Sequence, residues 1–209
     1  MRQRDVCIID YGMGNLLSVA SALATLGCAA TVSAAQDRIA QADALILPGV
    51  GAFGEAMERL HALNLVEVLE RQVLGAKKPL LGICLGMQLL GTRSTEGGVH
   101  EGLGWIDAAV DSIPQDTSIR VPHIGWNEVK WTVEGPLSVN VTQDSHFFFN
   151  HSFCMNAEDD CAVAIADVGR PLVAAVVKEN IWGVQFHPEK SQNNGRRLLR
   201  NFLNVVQVG

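Results

Sequence analysis

Three short stretches carry residue types that could do chemistry together. The first is Gly82-Ile83-Cys84-Leu85-Gly86, a thiol between two glycines. Apolar Pro79-Leu80-Leu81 precedes it and Met87-Gln88-Leu89-Leu90 follows. This reads as strand, sharp turn, helix: the G-x-S-x-G elbow with sulfur in place of oxygen. A nucleophile at the tip of a strained turn needs small neighbours, because a Cβ at position 82 or 86 would crowd it. Free N–H groups and the positive dipole end of the following helix would favour thiolate. The N–H of Leu85 could then donate to an oxyanion. Taken alone, the pentapeptide is explained as well by a buried core cysteine, since free Cys packs as a small hydrophobe.

The second stretch is Pro48-Gly49-Val50-Gly51, after the apolar run 44–47. Proline has no N–H to give a ladder, so the strand is expected to end there. The glycines permit positive φ or close approach of backbone to a ligand. An ordinary α/β loop is the commoner meaning; an oxyanion loop beside the elbow is the functional one. The third stretch is Gly183-Val184-Gln185-Phe186-His187-Pro188-Glu189-Lys190-Ser191. A thiolate nucleophile needs a base that takes its proton and later gives one to a leaving group. Histidine suits this near neutral pH. Glu189 is placed to orient His187 or stabilise its cation. By itself a His-x-Glu is better explained as a solvated loop.

The elements that must position these residues are legible as a pattern. Residues 6–9 read as a buried strand, 16–26 as a helix stopped by Gly27, and 29–33 as a second strand. Residues 37–40 suit a short helix and 44–47 a third strand. Residues 54–74 carry helical spacing with a break near Asn64, placing Met57, Leu60, Leu63, Val66, Leu69 and Val73 in the core. This alternation argues for a parallel sheet with right-handed crossovers. After Gly91 the chain turns polar and glycine-rich. Residues 105–110 are strand-like, 121–127 read as a dense turn, and 147–153 as an aromatic strand. Residues 162–166, 172–177 and 181–184 suggest partly antiparallel strands, and 198–206 a closing helix. Gly12 and Gly14 form a lone G-x-G; Leu17 stands where a dinucleotide fingerprint needs its third glycine.

Composition narrows the class. The 209 residues suit one domain over 1–209, and 48% hydrophobic with 18% charged residues is globular. A net charge of −6 without a Lys/Arg run argues against nonspecific nucleic-acid binding. Five cysteines, an odd number with no C-x-x-C, fit a reducing compartment better than a disulfide framework. The apolar run near the N-terminus is too short for a secretory leader, and the run 79–90 is shorter than the ~20 residues that span a bilayer. A soluble cytoplasmic protein is expected. The six histidines are scattered, so no metal site and no cofactor is expected.

Pro-Gly-Val-Gly, then Gly-Ile-Cys-Leu-Gly-Met-Gln, then Gln-Phe-His-Pro-Glu, in that order, resembles the class I glutamine amidotransferases. Residues 11–15, 121–127 and 186–191 more narrowly resemble the glutaminase subunits of imidazole glycerol phosphate synthase. The resemblance covers essentially the whole chain. It implies an α/β fold with a flavodoxin-like, mostly parallel central sheet flanked by helices and a small antiparallel β extension. It implies a glutamyl thioester on Cys84, proton transfer by His187 and support of His187 by Glu189. It implies an oxyanion held by Leu85 with Val50 or Gly51, and glutamine held by Gly49, Gln88 and the backbone of His151 and Ser152. It implies a heterodimer in which a (β/α)8 cyclase subunit receives the ammonia, contacted by Asn15, Trp126, Phe148 and Lys190. Low activity is expected of the isolated subunit, on the reading that loop 48–51 needs the partner to orient its N–H groups.

The family usually reads Tyr-Phe-Val-His-Ser-Tyr where this chain has Phe148-Phe149-Asn150-His151-Ser152-Phe153. Two hydroxyls are lost and one amide is gained. A paralogous glutaminase serving a sugar-modifying amidotransferase therefore stays open beside the histidine-pathway reading. So do a catalytically silent binding subunit, against which the intact Cys, His and Glu speak, and a cysteine peptidase or γ-glutamyl hydrolase of the same fold acting alone.

Overall fold

The computed structural model describes residues 4–114, 120–142, 145–157 and 160–206. The chain opens with β1 (Val6–Ile9), α1 (Leu16–Ala24), β2 (Thr31–Ser33), α2 (Gln36–Gln41) and β3 (Ala44–Gly49). Then come α3 (Phe53–Ala62) and α4 (Leu65–Leu69), which runs on into a π-type turn, Glu70–Gly75. β4 (Leu80–Cys84) is followed at once by α5 (Leu85–Gln88). The second half holds β5 (Arg93–Ser94), β6 (His100–Glu101), β7 (Ala108–Ser112), β8 (His123–Glu128), β9 (Lys130–Trp131) and β10 (His146–His151). It closes with β11 (Phe153–Ala157), β12 (Ala162–Asp167), β13 (Pro171–Lys178), β14 (Ile181–Val184) and α6 (Gln192–Val205).

β1, β3, β4 and β14 are buried at every position, as strands covered on both faces must be. They lie in one sheet of order β2-β1-β3-β4-β14-β13-β12-β9. The first five are mutually parallel; β13, β12 and β9 continue antiparallel. One face packs on α3 and α4 through Leu45, Leu47, Phe53, Leu60 and Leu69. The other packs on α1 and α6 through Ile8, Ile46, Leu81, Leu23 and Phe202. Beyond the sheet lie an antiparallel pair, β10-β8, and a small sheet of order β11-β7-β5-β6. The register sets Gly49 beside Cys84 and Val184 beside Ile83. Three parallel strands thus end together, where loops from their C-terminal ends can build one site.

Several expectations need correction. Pro48 does not end the third strand, which runs through Gly49 with Pro48 opposite Ile83. A missing N–H costs one ladder bond near a strand end and leaves the carbonyl free to accept. Residues 123–128 form strand β8 and not a turn, because β10 supplies an antiparallel partner from His151↔His123 to His146↔Glu128. The strand expected at 105 begins only at Ala108. α6 starts at Gln192, six residues ahead of 198, since its first turns are polar and show no apolar stripe. Leu63 is 44% exposed and outside the core. The break near Asn64 is there: that residue has φ 52 and separates α3 from α4. Among the described residues no helix is long and apolar enough to cross a membrane.

Candidate active site

Cys84 stands at the end of β4 with φ 56 and ψ −112, a conformation that side chains rarely adopt. The surrounding glycines make it possible. A Cβ on Gly82 would lie 2.7 Å from the Gly86 carbonyl oxygen, and one on Gly86 would land on that of Leu47. The helix that follows is a single turn, so its dipole is small and the support for an anion falls to the local N–H groups at its start.

His187 lies beyond the end of β14, 3% exposed. Its backbone is pinned to β10: His187 N–H donates to the Phe148 carbonyl at 2.8 Å. Ser191 Oγ donates to the His187 carbonyl at 2.6 Å and accepts from Phe148 N–H at 2.9 Å. Glu189 Oε1 meets His187 Nδ1 at 2.9 Å, and both side chains are buried. Glu189 Oε2 is also buried, without a hydrogen-bond partner among the described residues. Burial works against a charged imidazole here. The hydrogen bonds and charges of Cys84 and Glu189 outweigh it and push His187 up to about 9. With Nδ1 taken by Glu189, Nε2 is the nitrogen left for the sulfur.

A cavity of ≈ 300 Å³ opens over these groups. Val50, Gly51, Cys84, Leu85, Gln88, His151, Ser152, His187 and Lys190 line it. Gly49 is buried beside Cys84 and Leu85, and Gly51 has φ 101. The structure therefore brings the three expected chemical groups and the expected loop to one place. Gln88 is 5% exposed and spends both amide hydrogens inside the protein, on the Phe153 carbonyl at 2.9 Å and on Gln185 Oε1 at 3.0 Å. What Gln88 can offer a ligand is its own carbonyl oxygen.

His151 is likewise committed inward. Its Nδ1 donates to the Phe153 carbonyl at 2.8 Å, so Nε2 accepts, at 2.9 Å, from His123 Nδ1. Burial pushes His151 down to about 4 and lowers His123 too, so both rings are neutral and this single polarity is self-consistent. Both ring nitrogens of His151 are thus occupied inside the protein, which leaves its backbone, with Ser152, to serve a ligand in the cavity that both residues line.

Of the four residues expected to face a partner, three share one patch. Trp126 is 47% exposed, its ring 6.1 Å from that of Phe148, and Lys190 Nζ lies 5.7 Å over Phe148. Ile124, 60% exposed, extends the patch along β8. Asn15 stands before α1, the helix that contacts the turn Pro188–Lys190, and its Oδ1 accepts from Ser18 Oγ at 2.7 Å. Three site residues were not singled out from sequence. Glu96 lines the cavity and accepts from Phe53 N–H at 2.8 Å; nothing marks it in its polar loop. Ser191 and Gln185 flank the His-Pro-Glu motif, and only the three-dimensional hydrogen bonding gives them work. Among the described residues no group of His, Cys, Asp or Glu could hold a metal ion, and the five cysteines are free thiols.

With this geometry in hand, similarity to known proteins is informative. A family described as "Glutamine amidotransferase class-I" matches residues 7–206. Imidazole glycerol phosphate synthase subunit HisH 1 of Campylobacter jejuni strain RM1221 is 45% identical over 200 residues, 96% of this chain and 100% of that protein. Subunit HisH 2 of Pseudomonas aeruginosa is 43% identical over 202 residues, again 96% of this chain and 100% of its own. Among solved structures, PurLQS from Thermotoga maritima superposes with TM-score 0.75 at 19% identity, covering 99% of this chain and 100% of that one. A structure described as a glutamine amidotransferase gives 0.75 at 20%, covering 97% and 99%. At such identity the two structures speak for the fold alone.

Proposed function

The chain belongs to the class I glutamine amidotransferases, and from that premise we propose that it is the glutaminase subunit of an imidazole glycerol phosphate synthase. It hydrolyses glutamine and delivers the ammonia to a cyclase subunit in histidine biosynthesis. Residues 1–209 act as one glutaminase domain in the cytoplasm. The observation that carries the reading is that Cys84 and His187 line one cavity, with the buried Glu189 bonded to His187 Nδ1.

The roles divide by chemistry. Cys84 Sγ attacks the side-chain amide carbon of glutamine after its proton has passed to His187. Leu85 N–H, with one from Val50 or Gly51, takes the oxyanion. His187 gives its proton to the amide nitrogen, ammonia leaves, and a glutamyl thioester remains. His187 then takes a proton from water, which attacks the thioester and releases glutamate and the thiol. Glu189 holds the imidazole tautomer and offsets its charge. Glu96, a carboxylate in the cavity wall, is suited to the α-ammonium of glutamine, with the Gln88 carbonyl as a second acceptor. Gly49, His151 and Ser152 contribute backbone.

One observation favours a second reading of the partner. Phe148 and Asn150, two of the three departures from the family pattern, stand on the outward side of β10. A partner other than the histidine-pathway cyclase, such as a sugar-modifying amidotransferase, would read that side. The test is reconstitution. With the cyclase, wild type should release ammonia from glutamine and Cys84→Ala should fall by about 10⁴-fold or more. Cyclase turnover on added ammonia should persist. Glutamine-dependent release by Cys84→Ala would end the reading.

A further inference from the structure

Next to the sulfur, and outside the lining of the cavity, lies a fully buried amide. Gln185 is 0% exposed and does not line the cavity, yet its Nε2 is 3.8 Å from Cys84 Sγ. Its orientation is dictated from outside. The Phe153 carbonyl can only accept, so the Gln88 atom 2.9 Å from it is Nε2. The second hydrogen of that nitrogen then points at Gln185, 3.0 Å away, which must present oxygen. Gln185 is left with N–H toward the sulfur. Turning its amide over would set nitrogen against nitrogen and oxygen against the nucleophile.

We propose that Gln185 is a positioning residue of the glutaminase reaction, donating an N–H to Cys84 and so holding the sulfur in place as thiolate. This rests on Cys84 being the nucleophile. The Asn150 backbone carbonyl lies 4.0 Å from the sulfur, an acceptor that suits the thiol form. His187 favours the anion only while it carries the proton. It gives that proton up when ammonia leaves. The Gln185 donor is present in both half-reactions, including the second, where sulfur departs again as thiolate. A hydrogen bond to a charged group is worth about tenfold or more in an equilibrium. Other groups also bear on the sulfur's charge: His187 with Glu189 beyond β14, Tyr11 from the turn after β1, His151 from β10, and Glu96 and Lys190 in the cavity wall.

The test uses the full chain with its cyclase and does not require glutamine turnover. Iodoacetamide alkylation of Cys84 is followed against pH by peptide mass spectrometry, which counts the half-buried Cys161 separately. Gln185→Met loses both hydrogen bonds and adds no charge, so it isolates the missing donor; Gln185→Glu keeps an acceptor for Gln88 and sets a carboxyl oxygen where the N–H faced the sulfur. For variants that melt cooperatively, the half-rise of the alkylation profile should move up by about one pH unit, with roughly tenfold slower alkylation at pH 7. In Gln185→Glu, kcat should fall while KM for glutamine stays near wild type. A second measurement needs no altered glutamine: in wild type the Gln185 side-chain ¹⁵N resonance should titrate with the same midpoint as alkylation, and in Cys84→Ala it should not. Unmoved profiles in both variants, or a resonance blind to Cys84, overturn the proposal. If these hold but no partner elicits ammonia from glutamine, it is the glutaminase reading that fails.

Discussion

His187 and Glu189 bond to each other, Nδ1 to Oε1 at 2.9 Å, although only Pro188 separates them in the chain. His187 is the N-cap of the 3₁₀ turn Pro188–Lys190, in an extended conformation with φ −100 and ψ 94, and the bond closes across the start of that turn. A single local turn therefore supplies the base together with its orienting acid, and one strand register brings both to the thiol.

That pairing has a pH signature. His187 is held at about 9 in the folded chain, against 6.5 for an ordinary histidine. The folded state then binds more protons than the unfolded one between those values. The contribution is complete below pH 6.5 and is lost as pH rises through about 9. In Glu189→Gln this loss should be shallower, with glutaminase activity down by roughly 10²- to 10⁴-fold, on the order seen when a triad acid is neutralised. Melting temperature measured from about pH 6 to 9.5, with activity at each pH, checks both.

Gly82→Ala places a methyl 2.7 Å from the Gly86 carbonyl oxygen and 2.9 Å from Met87 Cα, both backbone. Neither can swing aside as a side chain could. Destabilisation of roughly 1–3 kcal/mol is expected, with activity lost through displacement of Cys84. Thermal melts beside ammonia assays test it; a variant as active as wild type would mean that the elbow tolerates bulk.

Trp126→Ala removes a half-exposed ring from the β8–β10 patch. Stability should change by no more than about 0.5 kcal/mol. Affinity for the cyclase should fall by more than about tenfold, as for a central aromatic anchor. Calorimetric titration decides between this and a bystander role.

The isolated chain should hydrolyse glutamine slowly and gain about 100-fold on adding the cyclase, a coupling of roughly 3 kcal/mol. Steady-state assays with and without partner measure it. Because the Phe148 backbone also holds His187 and Ser191, a partner seated on β10 touches the frame of the base directly.

The elbow, the glycine loop and the histidine-proline-acid turn could all be read from the residues in order, because each is local. Small residues flank a strained tip, and a 3₁₀ turn joins base to acid. The parallel strands were legible too, since their continuous apolar runs announce burial on both faces. It took the folded chain to show that β8 is a strand, because its ladder comes from β10, beyond an intervening strand and turn. Folding likewise gives Gln185, Ser191 and Glu96 their work. Each is a common polar residue whose meaning lies in a partner distant in the chain: Cys84 for Gln185, Phe148 for Ser191, Phe53 for Glu96. Periodicity reports which way a side chain points. A buried hydrogen bond depends on what stands opposite, and that is fixed only when the strands are laid side by side.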